Sequence, residues 1–97
     1  MNRHENLFPG FSGRLNALIE LAGIDAPQLD KGRASWFADL TGTSKVQVAH
    51  WLKHDRPPKP VMIRQIVKYL SSHMPSFTEA SPEELECWLF YGDLWKT

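Results

Sequence analysis

Apolar residues recur along this chain at helical spacing, and no stretch alternates apolar and polar long enough to read as a strand. Leu15, Leu18, Ile19 and Ala22 fall at i, i+3, i+4 and i+7, which predicts one amphipathic helix from about Ser12 to Ala22. Gly23 is expected to end it in the left-handed conformation, with Ile24 folding back as the accompanying contact. Asp25 to Gly32 holds Pro27 and two aspartates and reads as a loop with room for one irregular turn. A second helix follows from about Arg33 to Leu40, with Phe37, Ala38 and Leu40 turned inward; the pattern assigns no side to Trp36.

Between Ala34 and Lys53 the spacing is more specific. Ala38 is small enough to let another helix approach, and Gly42 stands where a tight turn needs positive φ. Val48 and Trp51 lie three residues apart on the inner side of a third helix, from Lys45 to about His54, and Ser44 is placed to cap it by accepting from first-turn amides. The run Arg56-Pro57-Pro58-Lys59-Pro60 stops that helix, because proline removes donors and turns each preceding residue away from helical angles. Pro60 suits the first turn of a fourth helix, in which Ile63, Ile66, Val67 and Leu70 form an apolar stripe and Arg64 and Lys68 share another face. After a linker at 73–80, Ser81-Pro82-Glu83-Glu84 has the form of a capping box and starts a fifth helix with Leu85, Trp88 and Leu89 inward. An aromatic tail, Phe90 to Trp95, follows. Trp88 and Trp95 fit two roles, closing the core or making a self-complementary dimer patch, of which the dimer patch is preferred.

Ninety-seven residues with 42% hydrophobic content suit a single domain, residues 1–97, too short for a typical two-domain enzyme. No apolar run approaches the ~20 residues a membrane helix needs, and the start MNRHENLFPG lacks the layout of a signal peptide. One cysteine, Cys87, cannot form an internal disulfide, so it reads as a small buried hydrophobe in a protein of the reducing cytoplasm. The net charge of zero hides a marked asymmetry. From Lys31 to Lys68, eight basic residues (Lys31, Arg33, Lys45, Lys53, Arg56, Lys59, Arg64, Lys68) face only Asp39 and Asp55, which leaves +6, whereas residues 1–30 carry −2 and residues 69–97 carry −4. Charge of one sign gathered around a short helical pair suits phosphate binding.

The segment WFADLTGTSKVQVAHWL resembles the helix-turn-helix of the lambda-repressor-like family of bacterial and phage DNA-binding proteins. The resemblance extends to Lys31-Gly32-Arg33 before the second helix and to Arg-Pro-Pro-Lys-Pro with Ile63, Ile66 and Leu70 after the third, about two thirds of the chain. Thr41 and Thr43 depart from it by standing where the family usually has apolar residues, and the loop 25–32 is longer than the family's usual connection. The resemblance implies an all-α, four- to five-helix lambda-repressor-like bundle with the helix-turn-helix core at about 12–73, while the C-terminal helix and aromatic tail at 82–97 carry the two roles given above, dimerisation element or core closure. It also implies that the outer face of the third helix enters the major groove. Lys45, Val46, Ala49 and His50 are then the base-contacting residues: Lys45 donates to guanine, Val46 and Ala49 meet thymine methyls, and His50 donates to guanine or phosphate. Ser35, Thr43, Ser44, Lys53, Arg56 and Lys59 are the backbone contacts, which set register and affinity.

The expected function is therefore a transcriptional regulator, a repressor acting as a homodimer on an inverted repeat of double-stranded DNA. The alternative is an antitoxin-like or adaptor module that uses the acidic, aromatic C-terminal segment to bind a protein. Enzymatic activity is not expected, since the chain shows no phosphate loop, no nucleophile with an evident base and no ligand cluster. His50 and His54 at i and i+4 lack a coherent third ligand, so neither a metal nor any other cofactor is expected, nor a small-molecule effector or a membrane partner.

Overall fold

The computed structural model describes residues 10–22, 25–72 and 81–92. Within them the chain is all-helical, with no strand: α1 (Phe11–Leu21), α2 (Ala34–Thr41), α3 (Lys45–Lys53), α4 (Pro60–Ser71) and α5 (Pro82–Tyr91). No helix is long and apolar enough to cross a membrane. The expected stop at Gly23 and Ile24, the linker 73–80 and the tail from 93 on, with Trp95, lie outside the described residues.

One core joins the helices. α1 packs on α3 and α5, α2 on α3, and α4 on α5. Phe37, Leu15, Ile19, Val48, Val67, Leu70 and Leu89 are fully buried there, and each sits on the apolar stripe of its own helix. Trp51 is buried with its ring edge-on to Phe37, centroids 6.4 Å apart. Trp36 stacks on Phe37 and covers the core from its margin. Leu40 differs from its expected inward placement: it is 37% exposed, at the rim of a shallow hollow between α2 and α4. Phe37 and Ala38 already fill the face of α2 that meets α3, and Leu40 falls beyond that stripe.

The segment before α2 is more ordered than a plain loop. Leu29–Arg33 forms a wide turn interrupted by Lys31 (φ −126°) and by Gly32, whose φ of 103° is open to glycine at no steric cost. Its last residue, Arg33, does not join the cationic surface. It is buried, and its Nε donates to the Pro27 carbonyl at 2.8 Å while Nη1 donates to Asn16 Oδ1 at 2.8 Å. Asn16 in turn donates to the Leu52 carbonyl at 3.0 Å, so one polar chain ties the turn before α2, the middle of α1 and the end of α3 together. An unpaired guanidinium at this depth would be costly; every bond here offsets that cost.

α5 belongs to the core. Leu85 and Leu89 are buried, Trp88 packs against the cluster, and the buried Arg14 of α1 donates from Nε to the Leu89 carbonyl at 2.9 Å. A cation at the C-terminal carbonyls of a helix satisfies both their charge and their hydrogen bonding. Leu85, Trp88 and Leu89 thus face the core as their spacing predicts, Trp88 while only half-buried. Cys87 is half-buried, not fully buried, beside Pro60, Ile63 and Phe90.

Candidate nucleic-acid interface

Two local devices set the helical pair. Gly42 ends α2 with φ 69° and ψ 27°, and the amides of Gly42 and Thr43 both donate to the Ala38 carbonyl. A residue with a Cβ resists that left-handed conformation, so glycine is what allows the chain to reverse in so few residues. Ser44, in extended conformation, then caps α3, its hydroxyl accepting from the Gln47 amide at 3.1 Å. The polar departures at the turn have partners: Thr41 Oγ1 donates to the Phe37 carbonyl at 2.8 Å, and Thr43 Oγ1 donates to the Thr41 carbonyl at 3.4 Å.

With Val48, Trp51 and Leu52 buried, the rest of α3 is turned outward. Lys45 and Val46 are exposed, Val46 by 67%, whereas Ala49 and His50 are half-buried. None of the four is occluded. Ser44, Lys53, Arg56 and Lys59 are exposed, and Ser35 and Thr43 half-buried. The structure brings His50, Arg56 and Lys59 to one groove of about 470 Å³. Its remaining lining is Gln47, Trp51, Pro57, Pro58 and Met62, with no carboxylate among the described residues that form it. Donor groups over an apolar, proline-stiffened wall suit a polyanion.

Gln47 is the residue the pattern of the sequence did not single out. It is exposed and lies three residues before His50, hence on the same side of α3. That spacing was readable, and a glutamine amide can both donate and accept, which is the chemistry for adenine N6 and N7.

The +6 segment is less uniformly available than its count implies. Arg33 is buried in the network above; Lys53 lies 3.6 Å from Asp30, and Arg64 lies 3.6 Å from Glu86. The Lys53 and Arg64 pairs are surface contacts of small worth, so Lys53 can exchange its partner for a phosphate, but Arg33 cannot. His50 and His54 are neighbours with ring centroids 5.8 Å apart, and among the described residues no three His, Cys, Asp or Glu side chains are grouped to hold a metal.

Comparison with known proteins adds no identity to this geometry: no protein-family model matches the chain, and no curated protein or solved structure matches it either.

Proposed function

We propose that this protein binds double-stranded DNA sequence-specifically, as a lambda-repressor-like regulator whose α3 enters the major groove. The observation that carries the reading is the pairing of an open outer face on α3 with a groove lined by His50, Arg56 and Lys59 and by no carboxylate among the described residues. On this reading Lys45, Val46, Ala49 and His50 meet base edges and Gln47 joins them, reading adenine. Arg56, Lys59, Ser44, Lys53, Thr43 and Ser35 hold the phosphates; the Ser44 hydroxyl accepts within α3 and keeps its proton to donate outward. A helix this short spans only a few base pairs, so a homodimer on an inverted repeat supplies the specificity of a repressor. Phe90 and Tyr91, 41% and 54% exposed at the end of α5, support a contact with a second copy.

The same exposed aromatics, with Glu86 among their neighbours, favour a second reading, a protein-interaction module built on α5. Selecting bound duplexes from a random pool separates the two, because a regulator enriches one motif and an interaction module enriches none. On the selected duplex, Lys45→Ala and Gln47→Ala are each expected to cost about 1–3 kcal/mol and to relax preference at one position, while Arg56→Ala weakens all sequences about equally. Identical behaviour of all three variants on every duplex overturns the division between reading and positioning.

A further inference from the structure

We propose that Ser12 and Asp55 are a positioning pair that sets the cationic loop of the groove, an inference that rests on the DNA reading above. By local rules Asp55 is in the wrong place. It follows the C-terminal end of α3, where exposed carbonyls disfavour a carboxylate, and it removes positive charge from the run Lys53, His54 and Arg56, although its φ of 55° is one that aspartate tolerates.

Its partners account for it. The Asp55 carboxylate accepts from the Ser12 amide at 3.0 Å, in the first turn of α1, where unsatisfied N–H groups favour an anion. Gly10, the residue that would ordinarily cap α1 with its side chain, has none to offer, and a Cβ there would collide with the Asp55 carboxylate. The bond is returned: the Asp55 amide donates to Ser12 Oγ at 2.8 Å, and that hydroxyl donates to the Trp51 carbonyl at 2.7 Å. Residues 43 apart in sequence thus close a clasp over the exit of α3. Arg56 comes next, its amide donating to the His50 carbonyl at 3.1 Å, and the chain from Arg56 to Lys59 forms one side of the groove. The negative charge of Asp55 is therefore kept beside a DNA-binding surface because its geometry places Arg56 and Lys59.

The test uses the full chain with Asp55→Ala, Asp55→Asn and Ser12→Ala, read by the hydrogen-exchange rate of the Arg56 amide without DNA and by duplex affinity against salt. Asp55→Asn keeps an acceptor oxygen and tolerates left-handed backbone, so it should leave Arg56 exchange within about twofold of the wild type and bind the duplex at least as tightly. Asp55→Ala and Ser12→Ala should speed Arg56 exchange by about tenfold and lower the salt slope of log K by ~0.9 for each phosphate that is no longer neutralised. If strain at this position unfolds the alanine variant, Asp55→Gly removes the acceptor without the strain and carries the same expectation. Unchanged Arg56 exchange on removal of the acceptor overturns the pair, as does equal tightening of DNA binding by Asp55→Ala and Asp55→Asn, which is what a purely repulsive charge gives. A wild-type chain with no affinity for any duplex sinks the DNA reading instead, and the exchange rates still report whether the clasp holds the loop.

Discussion

The two ends of α3 are made in opposite ways. Its beginning is specified within a few residues: Gly42 reverses the chain and Ser44 caps the first turn, with these bonds inside the segment 37–48. Its end is held from elsewhere, by Ser12 on the Trp51 carbonyl, Asn16 on the Leu52 carbonyl and Arg33 behind Asn16. A self-sufficient start can stand open to a partner, while a borrowed end anchors the helix to the body of the domain. The difference teaches that the outward face of α3 can change residue by residue without disturbing the fold, provided the clamped end is untouched.

Removing what both ends share should do the most damage. Trp51→Ala takes a nearly fully buried ring from between α3 and α2, and a loss of about 3–5 kcal/mol is expected in chemical denaturation, enough to unfold many domains of this size. A loss under about 1 kcal/mol would mean that α3 does not depend on this ring. Arg33→Ala attacks the clamped end alone. It leaves the Pro27 carbonyl and Asn16 Oδ1 without their donor, so about 1–3 kcal/mol should be lost, and the comparison fails if exchange quickens at the start of α3 and not at its end. Ser44→Ala is the converse and the smallest, about 1 kcal/mol, with faster exchange of the Gln47 amide and little change at His54.

The same division marks what was legible in the sequence. Stripes and caps are local, so the helices, Gly42, the Ser44 cap and the box at Ser81, where the serine amide donates to Glu84 Oε1 at 2.8 Å, could all be read from spacing. Arg33, Arg14 and Asp55 could not. Arg33 counts as surface charge until Asn16, 17 residues away, gives it a half-buried partner, and Arg14 looks like an ordinary polar position until the carbonyl of Leu89 meets it. Leu40 misled in the other direction, since an apolar residue on a short helix can fall just off the buried stripe. At the candidate site, the outward placement of Lys45 and Val46 followed from the inward pair Val48 and Trp51, whereas the groove arises only when the proline-rich loop folds back beside α3. Gln47 gained its place from that loop and not from the helical spacing alone.

The open face of α3 is tested most directly by titrating the chain with its selected duplex at several salt concentrations. Engagement of several phosphates predicts that log K falls linearly with log salt at a slope of several units, ~0.9 for each phosphate neutralised. Binding that is absent at low salt, or that salt leaves unchanged, would contradict the account.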